Sequence, residues 1–305
     1  MNLTSQLELL LTKSHPIIID GGLSNVLEAK GCDLNHKLWT AKLIEENPES
    51  IIQTHMDYIN AGAQVIATAS YQASFPGLNE EGYSSNDAED IMIKSVELAQ
   101  EAIGRCNTSR EILIAASMGP YGAYLADGSE YRGNYGISKD ELIDFHAERI
   151  AIFDNSNADL LAFETIPSFV ETQVISNLLV ESKKPAWVSF SCKDDGHIND
   201  GASISEASSI FKDHPTVFGI GINCTHPKFI SSLITKIKES TPDKKVLIYP
   251  NSGEVYDATT KTWIALSEPL NFANMTKEWI NQGADLIGGC CRIGPEHIEG
   301  IRNSI

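Results

Sequence analysis

The chain has 305 residues, of which 42% are hydrophobic and 21% charged, so it can bury a sizeable core. Its 23 Lys and Arg residues against 41 Asp and Glu residues give a formal net charge of −18. This acidic balance argues against a nucleic-acid partner, which needs clustered basic residues, and against an anionic membrane surface. No run approaches the roughly 18 apolar residues that a membrane span requires.

The N-terminal segment, residues 1–14, is predicted to form a helix that packs outside the main fold. Leu3, Leu7, Leu10 and Leu11 recur there at helical spacing. The segment lacks the basic region and the small-residue cleavage site of a signal peptide. The six cysteines are too sparse for a disulfide scaffold. We therefore expect reduced thiols in a cytoplasmic protein.

Eight short apolar runs, bounded by turn residues, follow in chain order and predict eight strands. Their residues are continuously apolar rather than alternating, which is typical of strands buried on both faces. The predicted strands are residues 16–20, 64–69, 112–118, 159–164, 186–191, 217–223, 245–250 and 284–289.

Helical signals fill the intervals between these runs. Asn47 precedes a proline at the first helical position, and residues 138–141 and 203–206 fit the capping box, in which a hydroxyl and a carboxyl satisfy each other's amides. Another helix is predicted over 271–282 before the last strand.

Eight strand–helix units without a linker predict a single (β/α)8 TIM-type barrel domain over residues 1–305. The alternative is an open doubly wound sheet, which a GxGxxG turn after the first strand would favour. That position reads Asp20-Gly-Gly-Leu-Ser24 instead.

Three cysteines stand where predicted strands end. Cys224 ends the sixth strand, and Cys290 with Cys291 ends the eighth. The C-terminal ends of barrel strands meet at one rim, so the three thiols can share a zinc ion with its fourth position open. A buried structural role for each thiol, or a redox role for the adjacent pair, is the alternative.

Two carboxylates, Asp20 and Glu164, end the first and fourth strands. They can serve as an acid–base pair, as a clamp for a substrate ammonium group, or as helix caps. The amides of Gly21 and Gly22 next to Asp20 are candidates for binding a substrate carboxylate.

The stretch Gly288-Gly-Cys-Cys-Arg-Ile-Gly-Pro-Glu-His297 resembles the C-terminal signature of the homocysteine S-methyltransferases. Four further segments resemble the same family in the same order along the chain: 19–22, 118–133, 163–165 and 221–224. The resemblance covers about residues 16–302. It implies zinc on the three cysteines and a homocysteine substrate held by Asp20, Glu164 and the Gly21–Gly22 backbone.

Betaine-using relatives carry a tyrosine directly after the strand-four glutamate, where this chain has Thr165. The resemblance therefore favours a sulfonium donor, S-methylmethionine or S-adenosylmethionine. Tyr71 and Tyr121 are candidates for an aromatic wall facing the donor cation, and Asn223 is a candidate for orienting the metal ligands or the substrate. We expect homocysteine and a methyl-sulfonium donor to be the small-molecule partners of the protein.

Three alternatives remain at this point: a betaine-dependent homocysteine methyltransferase, a zinc hydrolase or deaminase, and a non-catalytic zinc-binding protein. Hydrolysis normally needs a general base and His or carboxylate ligands, and no His ends a predicted strand. A zinc reservoir would not need the carboxylate pair. The sequence leaves open whether a selenol is also an acceptor.

Overall fold

The computed structural model describes residues 5–257, 262–264 and 272–305. The ten described strands are β1 Ile17–Ile18, β2 Val65–Ala67, β3 Leu113–Met118, β4 Leu160–Ile166, β5 Ala186–Phe190, β6 Val217–Asn223, β7 Lys245–Tyr249, β8 Val255–Asp257, β9 Thr262–Ile264 and β10 Leu286–Ile287. The helices are α1 Ser5–Lys13, α2 Leu23–Ala29, α3 Leu43–Glu46, α4 Pro48–Ala61, α5 Phe75–Glu80, α6 Ser85–Arg105, α7 Tyr121–Leu125, α8 Lys139–Asn155, α9 Phe169–Leu179, α10 Ile204–Ser209, α11 Ile230–Ser240, α12 Phe272–Gln282 and α13 Pro295–Ser304. Short 3-10 turns cover Trp39–Lys42, Ser129–Tyr131 and Pro227–Phe229.

Eight of these strands form one parallel sheet in the order β1-β10-β7-β6-β5-β4-β3-β2. The two edges meet through a parallel bridge between Ile19 and Val65, with the Asp20 amide donating to the Val65 carbonyl at 3.0 Å. The sheet is therefore closed, and the predicted (β/α)8 barrel is confirmed. Strands β8 and β9 form a separate antiparallel pair in the segment between β7 and α12.

All eight predicted strands are present, and the helix starts predicted at Asn47, Ser138 and Ser203 are confirmed. Asn47 caps α4 by accepting from the Ser50 amide at 3.3 Å. Both predicted capping boxes, at Ser138 and Ser203, are formed. The predicted last interstrand helix is α12, and its expected first residue, Asn271, lies outside the described residues.

Apolar residues at alternate positions of the barrel strands form an interior cluster separate from the layer between strands and helices. This division follows from the two-residue repeat of a strand. Leu7 and Leu10 of α1 belong to the interior cluster. Since α1 directly precedes β1, it covers the N-terminal mouth of the barrel and leaves the C-terminal rim free. Residues 1–4 of the predicted N-terminal helix lie outside the described residues.

Within the described part of the chain, no helix is both long and apolar enough to span a membrane. All six cysteines are free thiols.

Candidate metal and substrate site

The three cysteines predicted from the strand ends meet at the C-terminal rim. Cys224 directly follows β6, and Cys290 and Cys291 lie beyond β10. The Sγ atom of Cys224 is 2.8 Å from that of Cys290 and 3.3 Å from that of Cys291. All three sulfurs lie within 4.8 Å of one another. The barrel thus brings together cysteines that are more than sixty residues apart in the sequence.

The donor set fits a zinc ion. Two zinc–sulfur bonds of about 2.3 Å can span at most about 4.6 Å, so both measured separations are within reach of one ion. Hydrogen bonds from Cys290 and Cys291 hold the pKa of the Cys224 thiol well below its usual value. In return, the hydrogen bond with Cys224 raises the pKa of the Cys290 thiol well above its usual value. The three sulfurs lie close enough together to be ligands of one ion.

The glycines before the cysteine pair are needed for close packing. Neither Gly288 nor Gly289 has a positive φ, so their need for glycine does not come from the backbone conformation. A Cβ on Gly289 would lie 2.0 Å from Cγ2 of Ile293, and one on Gly288 would lie 2.6 Å from the Asp20 carbonyl oxygen. Gly288 is therefore required because the end of β1 packs against it, and Gly289 because the Ile293 side chain does.

The two rim carboxylates are both buried and electrostatically coupled. Oδ2 of Asp20 accepts from the Ala67 amide at 2.9 Å. Burial, together with the nearby Glu164, raises the pKa of Asp20 well above its usual value. The Ser117 hydroxyl donates to Glu164, and Tyr249 also hydrogen-bonds it. Burial nevertheless raises the pKa of Glu164 to about 7. Two buried carboxyls side by side suit a cationic ligand.

Asn223 connects the carboxylate side of the rim to the cysteines. Its Oδ1 accepts from the Thr165 amide at 2.7 Å, and its Nδ2 donates to the Thr165 hydroxyl at 2.7 Å. The same Nδ2 lies 3.9 Å from the Cys290 sulfur. Thr165 itself has a φ of 63°, and these two bonds hold it in that strained conformation. Asn223 thus fixes the strand end that carries Glu164.

The Gly21–Gly22 turn packs against the carbonyl of Ile293. The Gly22 amide donates to that carbonyl at 2.9 Å. The Tyr58 hydroxyl donates to it at 3.0 Å. The predicted use of both glycine amides for a substrate carboxylate is therefore corrected for Gly22, whose N–H is already paired. The side-chain Nδ2 of Asn25, close to Gly22, is buried without a hydrogen-bond partner among the described residues.

The two predicted donor-wall tyrosines have different surroundings. Tyr71 is coupled to the charges of Cys224 and Cys290 and hydrogen-bonds Thr165. Tyr121 instead packs its ring against Tyr124, Tyr135 and Phe145 at centroid distances of 5.1–5.5 Å. A role for Tyr121 in the donor wall stays a prediction.

Sequence reasoning did not identify Tyr131 and Glu130 as site residues. The Tyr131 hydroxyl lies 3.4 Å from the Cys224 sulfur. The Glu130 side chain is coupled to the charges of Cys224 and Cys291. Both residues lie in the segment 118–133, which resembles the family but does not by itself mark either residue as part of the site.

Comparisons with known proteins identify the family of this chain. The profile described as homocysteine S-methyltransferase matches residues 17–305. The chain is 47% identical to homocysteine S-methyltransferase YbgG of Bacillus subtilis over 294 residues, covering 93% of each chain. It is 43% identical to a selenocysteine Se-methyltransferase of Brassica oleracea var. italica, covering 99% of this chain and 92% of the relative.

A solved structure has the same fold over its whole length. The metallated form of the homocysteine methyltransferase MmuM of Escherichia coli superposes with a TM-score of 0.88 at 36% identity, covering 99% of this chain and 100% of that one. The chain therefore belongs to the homocysteine S-methyltransferase family and is a methyltransferase.

Proposed function

We propose that this enzyme transfers a methyl group from a sulfonium donor, S-methylmethionine or S-adenosylmethionine, to the thiol of homocysteine and so forms methionine. The observation that carries the proposal is the meeting of three cysteine sulfurs with two buried carboxyls on one rim. The names of the relatives support the acceptor, and Thr165 supports the sulfonium donor over betaine.

Cys224, Cys290 and Cys291 would hold the zinc ion. When bound, zinc would lower the pKa of the homocysteine thiol so that it reacts as a thiolate at neutral pH. Asn223 orients Cys290 through its amide and keeps Thr165 and the end of β4 in place. The protein's contribution here is to fix the positions of three thiolates before substrate arrives.

Asp20 and Glu164 would bind the ammonium group of homocysteine. A buried carboxyl with a raised pKa has lost its hydration, and a charge-assisted hydrogen bond to an ammonium replaces it. For the homocysteine carboxylate, the Gly21 amide and Asn25 Nδ2 are the proposed donors, since the Gly22 amide is paired with Ile293.

The chemical step is an in-line substitution at the methyl carbon. The homocysteine thiolate forms a new sulfur–carbon bond, and the donor's sulfur–carbon bond breaks with its electron pair going to the leaving sulfur. The sulfonium becomes a neutral thioether, so no proton has to be supplied to the leaving group. Catalysis then rests mostly on the alignment of the two sulfurs and the methyl carbon.

A methionine-formation assay tests the proposal directly. Homocysteine is supplied with S-methylmethionine, S-adenosylmethionine or betaine in parallel reactions. We expect methionine from a sulfonium donor and none from betaine. Activity with betaine alone would contradict the donor proposal, and no activity with any donor would favour a zinc-binding protein without catalysis.

Metal analysis tests the ligand proposal separately. We expect Cys290→Ala to lose nearly all bound zinc, because two thiolates and water hold the ion far more weakly than three thiolates. Cys106→Ala is the matched control, since Cys106 lies at the end of α6 away from the cluster. Full zinc occupancy in Cys290→Ala would refute the assignment.

A selenol acceptor is the second candidate function, favoured by the selenocysteine Se-methyltransferase among the relatives. Competition between homocysteine and selenocysteine for limiting S-methylmethionine distinguishes the two. We expect homocysteine to be methylated preferentially. Preferential methylation of selenocysteine would reverse the order of the two proposals.

A further inference from the structure

The loop that follows β3, residues 119–136, reaches over the cysteine cluster. Its Tyr131 hydroxyl lies 3.4 Å from the Cys224 sulfur. The Glu130 carbonyl accepts from the Ser191 hydroxyl at 3.1 Å. A Cβ on Gly122 would lie 2.5 Å from the Glu130 amide nitrogen, so the backbone at Glu130 packs closely against the start of the loop. The position of Glu130 is therefore set by backbone packing and hydrogen bonding.

The Glu130 carboxyl has no partner for its buried oxygen. Oε2 is buried and makes no hydrogen bond within the described residues. The nearby Arg132 is engaged elsewhere, donating to the Asp127 carboxylate at 3.1 Å and to the Ser129 hydroxyl at 2.9 Å. A buried carboxylate oxygen without a hydrogen-bond partner is unfavourable unless an N–H donor or a cation joins it.

Apart from Cys224, Glu130 and Glu164 have different neighbours. Glu164 hydrogen-bonds Ser117 and Tyr249 and interacts electrostatically with Asp20 and Cys224. Glu130 interacts electrostatically with Tyr71, Tyr131 and the sulfurs of Cys224 and Cys291. The two carboxyls thus approach the cysteines from different directions. One acceptor molecule held by Glu164 leaves Glu130 free for a second ligand.

We propose that Glu130 binds the α-ammonium group of the methyl donor, a sulfonium amino acid. This inference rests on the proposed function, which supplies the donor class. The ammonium offers the N–H donors that the unpartnered oxygen lacks. The sulfonium is the poorer partner, because its charge disappears during methyl transfer, and stabilising it would favour the ground state over the transition state. An ammonium keeps its charge throughout the reaction.

Binding of a group that does not change during the reaction predicts a specific kinetic pattern. Glu130→Gln keeps the size of the side chain and removes its charge. We expect the KM for S-methylmethionine to rise about 10- to 100-fold, the range of one charge-assisted hydrogen bond. We expect no change in the kcat at saturating donor, in the KM for homocysteine or in the zinc content. The variant loses only an interaction that is equally strong in the ground state and in the transition state. Calorimetric titration with S-methylmethionine should show the same loss of affinity.

Trimethylsulfonium, a methyl donor without an ammonium group, makes the test specific. Its KM should be the same for the wild-type enzyme and Glu130→Gln. Asp127→Asn is the matched control in the same loop, because its carboxylate is exposed and paired with Arg132. We expect it to keep its KM for S-methylmethionine within about twofold.

Three outcomes overturn the inference. If Glu130→Gln changes the KM for S-methylmethionine by less than about twofold, Glu130 does not contact the donor. An equal rise in the KM for trimethylsulfonium would show that Glu130 contacts the sulfonium group and not the ammonium group. If the wild-type enzyme neither binds nor uses S-methylmethionine or S-adenosylmethionine, both the inference and the donor part of the proposed function fail. Methionine formation by the wild type with an unchanged KM in the variant rejects the inference alone.

Discussion

Glu164 lies at the end of β4, where its carboxyl is buried and in contact with the hydroxyls of Ser117 and Tyr249. Burial raises its pKa from 4.5 to about 7. Between these values the folded protein binds more protons than the unfolded chain, so stability falls as pH rises through this window. Above pH 7 the full destabilisation, about 3 kcal/mol, is present.

Replacing Glu164 by Gln is therefore expected to stabilise the protein without homocysteine, by up to about 3 kcal/mol at pH 8 and by less than about 1 kcal/mol at pH 5. Urea unfolding at the two pH values measures the difference. Glu97→Gln, on an exposed part of α6, should show no such pH-dependent gain. A Glu164→Gln protein less stable than the wild type at pH 8 would contradict the argument.

The same variant is expected to raise the KM for homocysteine about 10-fold or more while keeping its zinc. Loss of the carboxylate removes one ammonium partner but no sulfur ligand. In the wild type, the KM for homocysteine should rise as pH falls below about 7, because Glu164 is then protonated. Initial rates between pH 6 and pH 8 measure this dependence, and a flat KM would exclude Glu164 from the clamp.

Residues that end strands could be predicted from the sequence, whereas their supporting partners could not. Cys224, Asp20 and Glu164 are conspicuous because each interrupts an apolar run at its end. Ser117 and Tyr249 lie inside predicted strands and look like ordinary core residues. Glu130 belongs to a polar loop, and nothing in its neighbourhood along the chain indicates that its carboxyl is buried.

At the scale of elements, a network of buried charged residues on α8 and α9 holds the loop after β3 in place. Glu171 of α9 accepts from the Tyr121 amide at 2.7 Å and from the Tyr135 hydroxyl at 2.9 Å, and it pairs with His146 at 2.9 Å. Arg149 donates to the Gly119 carbonyl at 2.9 Å. One carboxylate therefore fastens both ends of the loop that carries Glu130 and Tyr131.

We expect Glu171→Gln to loosen this loop and to destabilise the fold by about 3 kcal/mol, because Arg149 keeps its buried charge while the network loses its carboxylate. Arg132, exposed in the loop, then becomes a trypsin site. Limited proteolysis should cleave after Arg132 faster than in the wild type. Tyr135→Phe removes a single hydrogen bond and should have a smaller effect. Equal cleavage rates in the wild type and Glu171→Gln would contradict the anchoring role.

At the scale of the whole molecule, the barrel was predictable because all eight strands are buried on both faces and so appear as uninterrupted apolar runs. The lengths were less predictable. The first and last predicted strands, 16–20 and 284–289, reduce to Ile17–Ile18 and Leu286–Ile287. Asp20, Gly288 and Gly289 lie beyond these short strands and form part of the rim. The regular strands therefore end just before the residues of the site.

The position of α1 predicts that stability and activity can be separated along the barrel axis. Leu7 is fully buried among the interior residues at the N-terminal mouth, while the cysteines and carboxyls occupy the opposite rim. In (β/α)8 barrels the C-terminal rim carries the chemistry and the other end carries stability.

We expect Leu7→Ala to lower the free energy of unfolding by about 2–5 kcal/mol through the cavity it leaves. The kcat/KM measured well below Tm should stay within about twofold of the wild-type value. Leu9→Ala, on the exposed side of the same helix, should change stability by less than about 0.5 kcal/mol. Denaturant unfolding and initial rates for both variants measure the two quantities, and a fall of kcat/KM in proportion to stability would show that the two ends of the barrel are coupled.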